Sequence, residues 1–166
     1  MARVYVGIGS NLRPRQNLQF AVRELRRTFG EVTLSPVYRN APVGFSGADF
    51  LNMVAAFDAT QTPGELNDYF EQLHERAGRV REGERVASRT LDIDLLLWSD
   101  TISDDPPLPR EDILVYDFVL RPLVDIAAET RHPVTGCTFA EHLEEMNSGG
   151  HTLERIALRF NPERSI

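Results

Sequence analysis

The hydrophobic positions of this chain change period several times, and each change marks an element. Val4, Val6 and Ile8 alternate with Tyr5 and Gly7, the period of two that a strand requires, and Gly9-Ser10-Asn11-Leu12 follows as a turn-rich exit. From about Arg15 to Thr28 the spacing becomes helical. Leu18, Ala21, Val22, Leu25 and Phe29 share one face, Arg23, Glu24, Arg26 and Arg27 fill the other, and Gly30 stops the run. Glu31 to Tyr38 alternates loosely as a second strand, with Pro36 confining it to an edge or a bulge. Asn40 to Asp49 holds Pro42, Gly44 and Gly47 and predicts a loop of functional length. Phe50 to Ala59 is apolar on both faces, as a strand central in its sheet must be.

Thr62, Pro63 and Glu65 form the capping-box pattern that opens a helix, and Leu66, Tyr69, Phe70 and Leu73 make its buried stripe up to about Gly78. Arg79 to Ser88 reads as a charged, glycine-bearing loop and Leu91 to Trp98 as a strand. Asp104 to Pro109 is a stiff connector, Phe118 to Ala128 a short helix, and His132-Pro133 a turn. A helix over Thr138 to Met146, a strand over Thr152 to Phe160 and a loose tail over Asn161 to Ile166 complete the chain. The order strand, helix, strand, strand, helix, strand predicts an α+β fold. It is a ferredoxin-like split βαβ sheet with helices on one face and C-terminal additions, in a single domain over residues 1–166 with 160–166 as its loose end.

Composition narrows the chemistry. A hydrophobic fraction of 42% supports a real core, and 25 acidic against 18 basic residues argue against a protein that coats duplex nucleic acid. No apolar run reaches the roughly 18 residues of a membrane span, so the expectation is a cytoplasmic protein, a monomer, with neither a membrane nor a nucleic acid as partner. All 18 basic residues are arginine. Without lysine there is no Schiff base, no Gly-Lys-Ser/Thr phosphate loop and no amine general base, so arginines, backbone amides or a metal must handle any phosphate. Cys137, the single cysteine, makes no internal disulfide and reads as a buried or semi-buried spectator. His132, His142 and His151 show no ligand spacing and read as structural or solvated.

The chemical signal is Arg89-Thr90-Leu91-Asp92-Ile93-Asp94. Asp92 and Asp94 stand two apart in a strand, so both carboxylates project from one face about 7 Å apart along the chain. Such a pair is costly among leucines unless a cation joins it or it reaches water. Oxygen ligands of this kind suit Mg²⁺, and the competing reading is an edge strand with a solvated polar face. Arg76, Arg79, Arg81, Arg85 and Arg89 crowd the segment just before it and could clamp a polyphosphate, or pair with Glu75, Glu82 and Glu84 on a solvated loop. Asn40 to Gly44 offers backbone groups to a flat polar ligand, and Asn52 can read a heterocycle edge through its amide or merely satisfy a turn.

Taken together, Gly9-Ser10-Asn11-Leu12, Ser35-Pro36-Val37-Tyr38 with Pro42 and Gly44, Phe50-Leu51-Asn52, Gly78-Arg79-Val80-Arg81, Arg89-Thr90-Leu91-Asp92-Ile93-Asp94 and Phe118-Val119-Leu120-Arg121-Pro122-Leu123 occur in the order that resembles the 6-hydroxymethyl-7,8-dihydropterin pyrophosphokinase family of folate biosynthesis. The resemblance covers nearly the whole chain. It implies transfer of pyrophosphate from ATP to the pterin hydroxymethyl group with release of AMP. It also implies that Asp92 and Asp94 hold two Mg²⁺ ions, that Asn52 hydrogen-bonds the pterin and that Phe50 and Phe118 border it, with main-chain groups near Asn40 and Val43 reading its other edge. Arg79, Arg81 and Arg89 would act from a catalytic loop over the phosphates. His74, Arg81, Arg85, Ile93 and Arg110 would contact the nucleotide.

The sequence also departs from the resemblance, mostly on the nucleotide side. Val86 stands where the family's loop carries an aromatic, Arg110 follows Pro109 where a histidine is usual, Tyr116 replaces an arginine, and His74 replaces a glutamate. Three readings are consistent with that pattern: a working pyrophosphokinase in which Arg110 takes over a phosphate contact, a diverged pterin-binding paralogue with altered or lost ATP use, and an interaction module whose arginines and aspartates are surface pairs.

Overall fold

The structure, a computed structural model, describes residues 1–44, 47–78, 91–146 and 153–161. The chain runs β1 (Ala2–Ser10), α1 (Pro14–Phe29), β2 (Thr33–Leu34), β3 (Val37–Asn40), β4 (Phe50–Ala59), α2 (Pro63–Arg76) and β5 (Asp92–Trp98). There follow β6 (Ser103–Asp104), β7 (Pro107–Leu108), α3 (Asp112–Val115), α4 (Asp117–Ala127), α5 (Phe139–Met146) and β8 (Glu154–Ile156). The main sheet has the order β5-β1-β4-β3-β8, with β2 also on β4, and β6 and β7 form a separate ribbon. Its pairings are all antiparallel. This order is compatible with the expected split βαβ arrangement.

Period-two alternation builds two cores from one sheet. Val4, Val6 and Ile8 of β1, Met53 and Phe57 of β4 and Ile93 and Leu95 of β5 point to one face, where they meet Leu18, Val22 and Leu25 of α1 and Leu66, Phe70 and Leu73 of α2. The other face carries Val54, Leu96 and Leu97 against Leu120, Leu123 and Ala127 of α4 and Phe139 of α5. Leu96 and Leu97 share that face because the β1–β5 register slips between Tyr5 and Val6, a bulge that spends one residue without reversing the pattern. The helices between the strands therefore cover one face as expected, and the C-terminal additions cover the other.

Three expectations are corrected. The stretch 31–38 is not one strand: Ser35 and Pro36 break it into β2 and β3. Ser35 Oγ instead accepts from the Val54 N–H at 2.8 Å, and the Ser35 N–H reaches the Val54 carbonyl at 2.9 Å. The last strand is three residues, Glu154–Ile156, not nine, because beyond it carbonyls of 157, 159 and 161 are bonded by side chains of Arg15, Gln19 and Arg26 on α1 rather than by a strand. Cys137 is exposed rather than buried. The capping box is present, with the Glu65 N–H donating to Thr62 Oγ1 at 3.2 Å and the Thr62 N–H to Glu65 Oε1 at 2.9 Å; hydrogen bonding of the Glu65 carboxylate to the Thr62 backbone, and then to its side chain, lowers the Glu65 pKa.

Candidate active site

On the α4 face the sheet stops being apolar along one register row. Tyr38 on β3 lies opposite Asn52 on β4, Asn52 opposite Gly9 on β1, and Gly9 opposite Asp92 on β5. Two residues along, Gly7 lies between Val54 and Asp94. Glycine leaves the floor low between an amide and a carboxylate at position 9, and between a valine and a carboxylate at position 7. A Cβ on Gly9 would sit 2.5 Å from Asn52 Oδ1. Above this floor is a cavity of about 310 Å³, closed on its far side by Arg110, Asp112, Tyr116, Phe118 and Val119 from the C-terminal additions.

The cavity brings together Asn40, Val43, Phe50, Asn52, Asp92, Asp94, Arg110 and Phe118. Asn52 is oriented by its neighbour: its Nδ2 donates to Asn40 Oδ1 across the β3–β4 pair, which fixes which end of each amide is which. Phe118 stacks on Tyr116 with ring centroids 4.8 Å apart and planes at 23°. Both rings sit at the start of α4, which packs on the sheet through Leu120 and Leu123. Tyr38 secures the same helix from the strand side. Its hydroxyl donates to Asp125 Oδ2 and accepts from Arg121 Nε at 3.3 Å, while Arg121 and Arg155 lie 3.7 and 4.0 Å from Asp125 Oδ1.

Asp92 and Asp94 are partly exposed on the cavity side of β5, an edge strand, so the pair both reaches solvent, as in the solvated-edge reading, and faces a pocket. Arg110 lies over Asp94 at 3.8 Å and beside Asp112 at 3.5 Å. Two carboxylates on one face, with room above them, are a donor set that fits Mg²⁺, which takes one or two carboxylates and leaves its other positions to water and phosphate. Among the described residues no group of three or more ligating side chains exists, so other ligands would have to complete the coordination.

Two residues expected to contact the nucleotide, His74 and Ile93, are not brought to this cavity. His74 is buried on the opposite side of β5. Its Nε2 accepts the Ile93 N–H at 2.7 Å, which assigns the proton to Nδ1 and directs that nitrogen to Glu71 Oε1 at 3.0 Å. Ile93 is buried in the α1–α2 core. The pair stitches α2 to the strand between the two aspartates rather than lining the cavity. Arg79, Arg81, Arg85, Val86 and Arg89 lie outside the described residues. Sequence reasoning missed Gly7, Gly9 and Asp112 as site residues. The signal for the glycines was available, since a glycine inside a strand marks close approach by something else.

A family model described as 7,8-dihydro-6-hydroxymethylpterin-pyrophosphokinase (HPPK) matches residues 5–128. A protein of Pseudomonas aeruginosa named 2-amino-4-hydroxy-6-hydroxymethyldihydropteridine pyrophosphokinase is 39% identical over 137 residues, which cover 79% of this chain and 84% of that protein. One of the same name from Methylorubrum extorquens is 35% identical over 162 residues, covering 94% and 99%. Among solved structures, wild-type Plasmodium falciparum HPPK-DHPS superposes with a TM-score of 0.70 at 11% identity over 87% of this chain. The chain spans 44% of that longer protein, and at such identity the likeness is one of fold. By the extent of the family match and the identity to these relatives, the chain belongs to the 7,8-dihydro-6-hydroxymethylpterin pyrophosphokinase family.

Proposed function

We propose that this chain, acting as a single pyrophosphokinase domain, transfers pyrophosphate from ATP to 6-hydroxymethyl-7,8-dihydropterin and releases AMP, a step of folate biosynthesis. The observation that carries the reading is the row Asn52, Gly9, Asp92: a heterocycle-reading amide and a carboxylate face one cavity across a glycine, inside a family match of 124 residues (5 to 128). Asn52, held by Asn40, takes the donor and acceptor edge of the pterin, with main-chain groups near Asn40 and Val43 on its other edge. Phe50 and Phe118 border the ring, and the Tyr116–Phe118 stack keeps the Phe118 plane fixed. The pterin hydroxymethyl group then points along the row toward Asp92 and Asp94.

The reaction breaks the bridge between the α and β phosphates as the pterin hydroxyl bonds to the β phosphorus, and the hydroxyl proton passes to water. Little covalent chemistry is asked of the protein beyond alignment and charge compensation, which is consistent with a chain that has no lysine. Asp92 and Asp94 would hold Mg²⁺, two ions in this reading, and bound there the metal supplies neutralisation of phosphate charge. Arg110 contacts phosphate from the C-terminal wall, and Arg79, Arg81, Arg85 and Arg89 act from the segment before β5. A cytoplasmic location and a monomeric state belong to the same proposal, and sedimentation checks the second. The decisive assay supplies Mg²⁺, ATP and the hydroxymethyl dihydropterin and measures AMP. Its absence at millimolar ATP, with pterin binding intact, replaces the enzyme by a pterin-binding relative.

A further inference from the structure

We propose that Arg110 is an internal counter-cation for the metal-binding carboxylates. It neutralises Asp94 in the unliganded protein and is drawn away when a divalent cation and a polyphosphate arrive together, so that metal uptake depends on the nucleotide. The inference rests on the reading of Asp92 and Asp94 as the metal-holding pair, and concerns a residue in which this chain departs from the family pattern.

The backbone of Arg110 is fixed: its N–H donates to the Leu96 carbonyl at 2.9 Å, two residues beyond Asp94 on β5. From that anchor the guanidinium reaches two carboxylates, with a terminal nitrogen 3.8 Å from Asp94 Oδ1 and Nε 3.5 Å from Asp112 Oδ2. Both distances are ion-pair distances, longer than the roughly 2.7–2.9 Å of a charge-assisted hydrogen bond. Nε is also shut off from solvent and makes no hydrogen bond among the described residues. An arginine that has spent its charge but not its donors is poised for an acceptor with more oxygens, and a phosphate supplies them.

A guanidinium keeps its proton at any working pH, so Arg110 leaves Asp94 only under competing charge. A divalent cation arriving alone must settle on Asp94 beside a positive group. A polyphosphate arriving alone meets two carboxylates. Arriving together, the metal takes the aspartates while the phosphate takes the arginine, and each ligand removes the obstacle to the other. That is positive coupling with a named intermediary, and linkage requires it to be equal in both directions.

The test is Mn²⁺ titration of the whole protein followed by electron spin resonance, with and without a non-hydrolysable ATP analogue, in wild type, Arg110→Gln and Arg110→Lys. Removal of one positive charge near a dication at a solvated site, screened by salt, is expected to tighten Mn²⁺ binding to the protein alone by about three- to tenfold. The enhancement of Mn²⁺ affinity by the analogue should shrink by at least the same factor. Arg110→Lys, which keeps the charge, should stay near wild type without nucleotide. Wild-type or weaker Mn²⁺ affinity in Arg110→Gln overturns the proposal, even when that variant melts at a lower temperature, since a merely structural arginine would show only the melting change. Mn²⁺ that binds wild type while Arg110→Gln is unchanged removes this inference alone. Mn²⁺ that binds neither protein under either condition removes the metal reading with it.

Discussion

A Gly9→Ala substitution puts a methyl group into the row where Asn52, position 9 and Asp92 lie side by side, and its consequences for folding and for binding should separate. The added Cβ would lie 2.5 Å from Asn52 Oδ1, whereas its next neighbours, Asn52 Cγ and the Leu51 carbonyl, are at 3.7 and 3.8 Å. The collision is thus with the end of a side chain that can rotate, and the strand need not move. Alanine in a strand is favoured over glycine by about 0.5–1 kcal/mol through backbone entropy. Rotation of Asn52 gives up its bond to Asn40, about 0.5–1.5 kcal/mol. These offset to within about 1 kcal/mol, which moves the melting temperature of a chain of this size by no more than about 4 °C. Binding has no such compensation. With the amide turned away, two ligand hydrogen bonds are lost together, about 2–3 kcal/mol or on the order of a hundredfold in pterin Kd. Calorimetric titration with the pterin beside a thermal melt reads both quantities. Gly7→Ala is the control, because its Cβ meets Leu96 side-chain carbons at an ordinary 3.7 Å, and it should cost less than about tenfold in affinity. A Gly9→Ala protein that binds pterin within about threefold of wild type would refute the role given to Asn52. A fall of more than about 10 °C in melting temperature would refute the claim that only a side chain yields.

Asp94→Ala should lose turnover by orders of magnitude while its circular dichroism stays that of wild type, since the carboxylate is partly exposed and holds no core together; full AMP release in this variant would sink the metal role. His132 gives a pH dependence of stability: burial, and to a lesser degree the neighbouring His142, push its pKa below the ordinary 6.5, and Nδ1 accepts the N–H groups of Val134 and Thr135 only while unprotonated. Its contribution is therefore complete above about pH 6.5 and is lost as pH falls through the lower folded value, so wild type should lose stability to urea over that window more steeply than His132→Gln; parallel profiles would falsify this assignment. Tyr38→Phe removes the donor to Asp125, leaving that little-exposed carboxylate to Arg121 and Arg155 alone, and should destabilise by about 1–3 kcal/mol in denaturant unfolding.

Much of this site could be read along the chain because its strongest signals are local. The alternation around Asp92 and Asp94 put both carboxylates on one face, and the apolar run of Phe50 to Ala59 placed β4 centrally, which put Asn52 within the sheet. What could not be read was which strand lies opposite which residue. Nothing local pairs Gly9 with both Asn52 and Asp92, so the glycine floor emerges only from the β1–β4 and β1–β5 registers. The placement of His74 was hidden for a related reason. The resemblance put it on the nucleotide side, while its helical position turns the ring inward to the Ile93 N–H. His132 and His142, ten apart in sequence, have ring centroids 5.6 Å apart because a turn and the start of α5 fold one over the other.

The cavity has a floor from the strands and a far wall from residues 110–119, and the two are joined through an apolar layer, Val54 and Leu96 against Leu120 and Leu123. The separation between the ring of Phe118 and the amide of Asn52 is therefore set by the volumes of side chains that touch no ligand. A smaller residue at 120 or 123 would let α4 settle toward the sheet and narrow the slot, and a larger one would lift it, without disturbing a single strand pairing. Under the proposed function, size selection for the heterocycle is in this sense a property of the hydrophobic core, adjustable independently of the carboxylates assigned to phosphate charge.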